Sequence, residues 1–296
     1  MAATDTAAPA PGADTGPERM KDYSKWINTG KAVGLLIIFV WCLFPFVWMA
    51  VTSFKGEAAL VSPVVFQGPW TDANYQQVFA EGFGLNLRNS LVVAGLTTLI
   101  AIPVAAFAAY AIVRLPVKRK FLLLAGTLVA TLFPPVSLVP PLFTLFRNLG
   151  LLETYPAMVV PYVSLTLPLS IFILTTFFGT IPKDMEEAAR VDGATPWQAF
   201  YRVVVPLAAP GVFAAAILVF VYAINEFLIA FSLAPRNINV QTVPVAIAGF
   251  TGSEAYVNPI GPITAASTLV SIPLIIVALL FQRRIVSGLT AGGVKG

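Results

Sequence analysis

Six long apolar segments constrain this 296-residue chain more strongly than any other feature of its sequence. The hydrocarbon core of a bilayer is roughly 30 Å thick, and a helix needs about 20 apolar residues to cross it. Only 11% of the residues are charged, whereas a soluble domain carries about 25%. We therefore predict an all-α integral membrane protein with six transmembrane helices. Their predicted ranges are 32–54, 89–113, 121–146, 155–180, 207–231 and 262–281.

The distribution of basic residues predicts the orientation of these helices. The chain contains 18 Lys and Arg residues. If the N-terminus is cytoplasmic, only Lys55, Arg88, Arg147 and Arg236 fall on the outer side, and the other fourteen fall on the inner side. Because Lys and Arg are enriched in cytoplasmic loops, both termini are predicted to be cytoplasmic.

Composition disfavours several classes of function. The net charge of +4 could indicate a nucleic-acid partner, but the basic residues lie at the ends of apolar segments and form no stripe with interleaved aromatics. The expected surroundings are therefore membrane lipid, with no nucleic acid. The chain has no histidine, and its single cysteine, Cys42, lies in an apolar run. A metal site, a disulfide and a membrane enzyme are all disfavoured, because the spans also hold no paired carboxylates.

The same patterns divide the chain into four regions. Residues 1–31 are predicted to be a disordered, cytoplasmic N-terminal tail, because their first part is rich in Ala, Pro, Gly and acidic residues. The first span and an extracytoplasmic loop follow over 32–84. This span lacks a convincing cleavage site, so it is predicted to be retained. A transmembrane core over 85–281 and a cytoplasmic C-terminal tail over 282–296 complete the chain.

Prolines cluster in the third and fourth predicted spans. Proline removes a backbone donor and kinks a helix, and lipid tolerates such irregularity where neighbouring helices or a watery cavity satisfy the freed carbonyls. These helices either line a translocation path or are kinked only for packing; the clustering favours the path. The prolines are Pro134, Pro135, Pro140, Pro141, Pro156, Pro161 and Pro168.

The loop between the fourth and fifth spans, IPKDMEEAARVDGATPWQAFYRV, predicts two helices joined by a turn. Early carboxylates and a late Arg190 suit the dipole of the first helix, and Gly193 suits the left-handed residue after a helix end. Thr195, Pro196 and Gln198 form the capping-box pattern that begins the second helix. An apolar stripe is then expected on that helix at Trp197, Phe200, Tyr201 and Val204. By periodicity alone, such a helix could also lie on the bilayer surface.

This loop resembles the cytoplasmic EAA loop of permease subunits of ATP-binding-cassette importers. The resemblance lies in Glu187-Ala188-Ala189, Asp192-Gly193-Ala194 and Val205-Pro206-Leu207, with Val205 where the family usually has Leu. In that family the loop is a coupling helix that docks into a cleft on the ATPase subunit. The resemblance therefore implies ATPase-coupling roles for Glu187, Ala188, Ala189, Asp192, Gly193, Ala194 and Trp197.

Two further stretches are similar to the maltose-type sugar permeases. RRIVSGLTAGGVKG, 283–296, resembles a tail that reaches the ATPase dimer interface, with Gly293 where that subgroup usually has Ala. YAINEFLIAF resembles the subgroup's Trp-Asn-Glu/Asp-Phe run, with Ile224 replacing Trp. The tail positions implied are Gly288, Leu289, Thr290 and Lys295; the alternative is a flexible glycine-rich end.

The resemblance also assigns the outer loop between the fifth and sixth spans. In the family this loop enters the cleft of the sugar-binding protein, although a solvated loop without a partner is the alternative. The tip residues implied are Thr251, Gly252, Ser253 and Glu254.

Glu226 is the only acidic residue within a predicted span, beside Asn225. Placing an acidic side chain inside a membrane costs free energy, so such a residue is a candidate for a functional role. The two side chains either bind sugar hydroxyls along a substrate pathway or make a structural hydrogen bond between helices.

The function expected from these features is that of a permease subunit of an ATP-driven importer for a disaccharide such as trehalose or maltose. No phosphate-binding G-x-x-x-x-G-K-[ST] motif occurs, so ATP and Mg are expected on partner subunits and no cofactor on this chain. The implied partners are a homologous permease, two ATPase subunits and an extracytoplasmic sugar-binding protein, in a bacterial cell membrane. The alternatives are an ion-coupled secondary transporter using Glu226, or an importer permease for another oligosaccharide or a glycerol-phosphate-type substrate.

Overall fold

A computed structural model of the chain describes residues 17–60, 66, 68–250 and 259–291, and these residues are almost entirely helical. Among them, β pairing is limited to one isolated bridge between Lys55 and Trp70. The helices are α1 Pro17–Ser53, α2 Glu57–Leu60, α3 Ala73–Ala80, α4 Phe83–Arg114, α5 Lys120–Ala130, α6 Pro135–Asn148, α7 Tyr155–Thr180, α8 Lys183–Val191, α9 Pro196–Ala199, α10 Val205–Leu207, α11 Ala209–Asn225, α12 Leu228–Leu233, α13 Val243–Gly249 and α14 Ile260–Ala291. A π-helical turn, Phe200–Val204, joins α9 to α10.

Four of these helices are long and apolar enough to cross a membrane: Asn28–Ser53 within α1, all of α4 and α7, and Ile260–Gln282 within α14. Two further crossings are formed only if each of two bent helix pairs counts as one span. The all-helical membrane class is therefore confirmed, and the predicted number of six is reached when both bent pairs are counted. The cytoplasmic placement of both termini stays a prediction.

The third predicted span, 121–146, is not one helix. It consists of α5 and α6, which meet at an angle of 82°. Pro135 occupies the first position of α6, where its missing N–H costs no hydrogen bond. The break therefore falls at the first proline pair, whereas Pro140 and Pro141 lie inside α6.

The fifth predicted span, 207–231, is broken at both ends. The segment Pro196–Leu207 meets α11 at 78°, next to a proline in the first turn of α11. At its other end α11 stops at Asn225, and a separate short helix, α12, begins at Leu228.

The last part of the predicted N-terminal tail is helical in the structure. Residues 1–16 lie outside the described residues, but residues 17–31 belong to α1. Pro17 can begin this helix because the first helical position needs no N–H, and the helix then continues without a break into the first span.

The core that positions the loop between the fourth and fifth spans is formed by α4, α7 and α11. Small side chains of α4, including Ala101, Ala105 and Ala109, pack against Leu174 and Phe178 of α7. Small residues let membrane helices approach closely, and a Cβ added at Gly211 of α11 would lie 2.2 Å from the Phe177 ring. These contacts hold the three helices directly beside α8 and α9.

Candidate coupling site

The helix α8 ends in the left-handed turn that its sequence predicts. Gly193 has φ +89°, a conformation that favours glycine. Its N–H donates to the Arg190 carbonyl at 3.0 Å, and the Ala194 N–H donates to the Ala189 carbonyl at 2.9 Å. This pair of bonds is the Schellman motif, which satisfies carbonyls that a helix end would otherwise leave unpaired.

The start of α9 has the predicted capping box. The Gln198 N–H donates to the Thr195 hydroxyl at 3.2 Å, and the Thr195 N–H donates to the Gln198 side chain at 2.9 Å. Pro196 takes the first helical position. Both predictions of local structure are confirmed, and together they fix the bend between α8 and α9.

The residues assigned to ATPase coupling lie on an accessible surface around this bend. Glu187, Ala188, Asp192 and Gly193 are exposed, and Ala189 and Ala194 are partly exposed. Within the described part of the chain, the Glu187 carboxylate has no hydrogen bond or ion pair. A partner could therefore reach it without displacing an internal contact.

Glu186, the neighbour of Glu187, points the other way. The sequence placed it only among the early carboxylates of this helix, and its buried role was missed. Its side chain is 6% exposed. It accepts bonds from Arg114 at 2.9 Å and from Arg190 at 2.8 Å, and also from the Tyr110 hydroxyl. The Glu186–Arg190 spacing of four residues is a sequence signal for such a pair, but nothing in the sequence indicates Arg114 or Tyr110 as partners.

Arg190 lies at the open side of this cluster, with its side chain 49% exposed. A hydrogen bond with Tyr110 and the negative charge of Glu186 raise the pKa of Arg190 above its ordinary value. Its guanidinium therefore stays charged, and it balances a carboxylate that is otherwise buried.

The predicted apolar stripe on the second helix is corrected. Phe200 and Val204 are buried, but Trp197 is 56% exposed and Tyr201 is also exposed. A π-helical turn begins at Phe200, so the three- and four-residue spacing of an α-helix is not maintained. Trp197 instead stacks on Phe107 of α4, with ring centroids 5.3 Å apart.

Asn225 and Glu226 are adjacent in sequence but have different surroundings. Glu226 accepts a hydrogen bond from the Tyr162 hydroxyl and two from the backbone N–H groups of Ile229 and Ala230, at 2.9 and 3.2 Å. These contacts support the structural alternative for Glu226. Asn225 is exposed, and within the described ranges its side chain donates only to its own helix, at the Val221 carbonyl.

Ile224, which replaces the tryptophan of the resembled subgroup, is buried in the core beside α7. A cavity of about 220 Å³ lies one turn earlier, between α7, α11 and the break in the third span. Neither Asn225 nor Glu226 lines it. Its lining includes Thr131, Pro135, Thr166, Ser170, Leu218 and Tyr222.

The remaining predicted residues cannot be placed by side chain. Thr251, Gly252, Ser253, Glu254 and Lys295 lie outside the described residues. Gly288, Leu289 and Thr290 belong to α14, which is described there by its backbone alone.

A second polar cluster, also missed from the sequence, lies near the N-terminal end of α4. The buried Asn89 amide donates to the carbonyls of Ile238 and Gln241, at 2.9 and 3.0 Å, and accepts from the Tyr155 hydroxyl at 2.7 Å. Ser90 accepts from the Val243 N–H. Close by, Glu153 accepts from the N–H groups of Arg236 and Asn237. The loop after α12 is thereby fixed to α4 and α7.

Helices that are long and apolar enough to cross a membrane, together with an exposed, bent helix pair, are the features of a membrane protein with several spans. Residues 101–290 match the family of binding-protein-dependent transport system inner membrane components. The chain belongs to this family and is a permease subunit.

Named relatives agree with this assignment. The trehalose transport system permease protein SugB of Mycobacterium tuberculosis is 45% identical over 86% of this chain and 93% of its own length. The trehalose/maltose transport system permease protein MalG of Thermococcus litoralis is 41% identical over 89% of this chain and 95% of its own length. The sulfoquinovosyl glycerol transport system permease protein SmoH of Agrobacterium fabrum is 44% identical over 90% of this chain and 93% of its own length.

The fold is also that of a solved transporter. The crystal structure of a bacterial ABC transporter involved in the import of the acidic polysaccharide alginate contains a chain that matches with a TM-score of 0.71 and 20% identity. The match covers 88% of this chain and 97% of that one. This likeness confirms the permease fold.

Proposed function

We propose that this chain is one of two permease subunits of an ATP-driven sugar importer, and that its substrate is a disaccharide of the trehalose or maltose type. The relatives named for trehalose and for trehalose/maltose transport support this substrate, because each aligns over most of both chains. The relative named for sulfoquinovosyl glycerol transport is 44% identical, between the values of those two relatives, so a glycoside of another type is the second substrate to test.

The observation that carries the proposal is the accessible face of α8. A helix that is capped at its end by Gly193, and that exposes a Glu187 carboxylate with no partner among the described residues, offers a charged surface to another protein. We infer that the ATPase subunit binds this face through Glu187, Ala188, Ala189, Asp192, Gly193, Ala194 and Trp197. ATP and Mg then reside on the ATPase subunits.

The cavity beside the third span supports a second permease as partner. Ligand pockets commonly measure about 300–1,000 Å³, and this cavity is smaller, at about 220 Å³. A path wide enough for a disaccharide is therefore completed by a homologous subunit. Asn225, whose side-chain oxygen Oδ1 has no hydrogen-bond partner among the described residues, is a pathway residue in this arrangement.

Two further contacts belong to the proposal. The loop with Thr251, Gly252, Ser253 and Glu254 meets an extracytoplasmic sugar-binding protein. The tail residues Gly288, Leu289, Thr290 and Lys295 reach the ATPase dimer. A solved relative of the same fold is described in complex with a periplasmic protein that carries an alginate pentasaccharide, which supports a binding-protein contact in this architecture. The assembly resides in a bacterial inner membrane with both termini in the cytoplasm.

An ion-coupled transporter has less support. A coupling site must release its proton or sodium ion in each cycle, but both oxygens of Glu226 are engaged by Tyr162 and by backbone N–H groups. These bonds suit a fixed structural carboxylate.

Transport in proteoliposomes tests the proposal. The chain is reconstituted with its partner permease, ATPase and binding protein, and uptake of radiolabelled trehalose and maltose is measured with and without internal ATP. ATP-dependent uptake that persists with a protonophore is expected. Transport by this chain alone, or uptake abolished by the protonophore with ATP present, would contradict the proposal.

A further inference from the structure

We propose that Glu186 is a positioning residue whose buried carboxylate clamps α8 to the ends of α4 and α7, so that the three elements move together. The clamp rests on the proposed function, because the motion that it transmits is imposed on α8 by a partner ATPase.

A single guanidinium joins the three elements. Arg114, the last residue of α4, donates through Nε to Glu186 at 2.9 Å and through an Nη atom to the Ile181 carbonyl at 3.0 Å. Ile181 directly follows the last residue of α7. The Arg114 side chain is 9% exposed, so water competes weakly for either bond. Lysine could not reproduce this arrangement, because it lacks the planar fork of donors.

Both oxygens of the carboxylate are used. Oε2 accepts from Arg114, while Oε1 accepts from Arg190 and from the Tyr110 hydroxyl. Tyr110 lies one helical turn before Arg114, so α4 holds Glu186 at two points. Rotation of α8 about its own axis would break these bonds.

The two adjacent acids therefore have separate tasks. Consecutive residues on an α-helix point about 100° apart. Glu187 faces outward, where a partner can bind it, and Glu186 faces the bundle. A displacement applied to the outer face is passed through the same helical turn to α4 and α7.

The charged character of the clamp favours this role over a contribution to folding alone. A buried ion pair is weak evidence for stability, because desolvation offsets much of the attraction, and apolar residues of similar volume often serve as well. A directional set of bonds fixes the orientation of α8, which an apolar contact would leave free to slide.

The test compares the wild-type complex with Glu186→Gln, which keeps the side-chain shape and removes the charge. Amide hydrogen exchange across Lys183–Val191 is measured in the purified complex, and sugar transported per ATP hydrolysed is measured in proteoliposomes. Exchange is expected to accelerate about tenfold, and the sugar-to-ATP ratio is expected to fall about tenfold while ATP hydrolysis stays within about twofold of wild type.

Asp184→Asn is the matched control, because it makes the same change in charge at an exposed position of the same helix. Its amide exchange is expected to stay within about threefold of wild type, because an exposed carboxylate in the first turn stabilises a helix only slightly, and its sugar-to-ATP ratio is expected to stay at the wild-type value. If Glu186→Gln reduces the amount of assembled complex, Tyr110→Phe is measured in its place. This variant removes one hydrogen bond to the Glu186 carboxylate and keeps the ion pair between Arg114 and Glu186. A lower ratio in Tyr110→Phe supports the clamp, and an unchanged ratio overturns it.

Failure of the clamp and failure of the proposed function give different results. Wild-type import together with unchanged exchange and an unchanged ratio in Glu186→Gln overturns the clamp alone. A wild-type complex that imports neither sugar contradicts the proposed function, and the exchange measurement on α8 still tests the clamp.

Discussion

Near its N-terminal end α4 is fixed by neutral amides and hydroxyls, whereas at its C-terminal end it is fixed by charges. The two clusters, centred on Asn89 and Arg114, lie about 38 Å apart along one helix, at 1.5 Å per residue. The Asn89 cluster binds backbone carbonyls of the loop after α12. The Arg114 cluster joins side chains of α4 and α8 and one carbonyl after α7.

Under the proposed coupling role, the difference separates an end of α4 that holds a loop from an end that passes motion between helices. Side chains that bind backbone groups hold a loop in one conformation, because the backbone partners cannot change rotamer. Ionic contacts between side chains set the relative orientation of whole helices. We therefore expect substitutions near Asn89 to lower stability, and substitutions around α8 to separate ATP hydrolysis from transport.

The largest effect is expected at the exposed face of α8. Glu187→Lys reverses the charge offered to the ATPase, and Gly193→Pro cannot adopt φ +89° and lacks the N–H that binds the Arg190 carbonyl. Each should lower sugar uptake at least about 100-fold, the loss typical of a broken interfacial charge contact. Membrane insertion, measured as protein in the membrane fraction, should not change.

Gly193→Ala is the graded control for this prediction. Alanine tolerates the left-handed conformation at a cost of roughly 1–2 kcal/mol and keeps the N–H. Uptake should fall less than in Gly193→Pro. Normal uptake in both Glu187→Lys and Gly193→Pro would show that α8 carries no coupling role.

An intermediate effect is expected at the Asn89 cluster. Asn89→Leu has similar volume but removes three hydrogen bonds, leaving two loop carbonyls and the Tyr155 hydroxyl with fewer partners. The free energy of unfolding in detergent should fall by about 2–3 kcal/mol. The sugar-to-ATP ratio of the folded complex should stay at the wild-type value, in contrast to Glu186→Gln.

Asn148→Leu provides the comparison for that measurement, because Asn148 is exposed at the end of α6. Its stability should lie within about 0.5 kcal/mol of wild type. A lower sugar-to-ATP ratio in Asn89→Leu at normal stability would break the distinction between the two ends.

The smallest effect is expected at the cap of α9. Thr195→Ala removes the side chain that accepts from the Gln198 N–H, and such a loss costs about 1 kcal/mol. Amide exchange in the first turn of α9 should accelerate about fivefold, with uptake reduced by less than half. Thr195→Ser should restore both values, and equal exchange in Thr195→Ala and wild type would exclude a role for the cap.

Local features were predictable from the sequence and distant ones were not. The turn at Gly193 and the cap at Thr195 depend on hydrogen bonds between residues at most five positions apart. A short stretch of sequence therefore contains all the residues that predict them. The bonds from Tyr110 and Arg114 to Glu186 join residues 76 and 72 positions apart. No periodicity in one sequence records such a pair.

The predicted spans also show that the sequence predicts local features better than contacts between distant residues. Hydropathy marked six apolar segments but could not distinguish a kink within a helix from a break between two helices. Prolines occur in both α6 and α7, and α7 remains continuous through Pro161 and Pro168. The third span breaks where a proline pair follows Phe133, and the partners that shelter the break lie on α7, which sequence alone does not place beside it.

The broken third span has a consequence for how the chain enters the bilayer. Its two arms contain 11 and 14 residues, which correspond to about 17 and 21 Å of helix, and neither reaches across roughly 30 Å of hydrocarbon. If the pair is one span, both arms run obliquely, and the elbow between them is sheltered by protein because lipid offers its backbone no hydrogen bonds. The bent pair α5 and α6 is therefore not stable in lipid as an isolated helix would be. We therefore expect the third and fourth predicted spans to enter the membrane as a pair, once α7 is available beside the elbow.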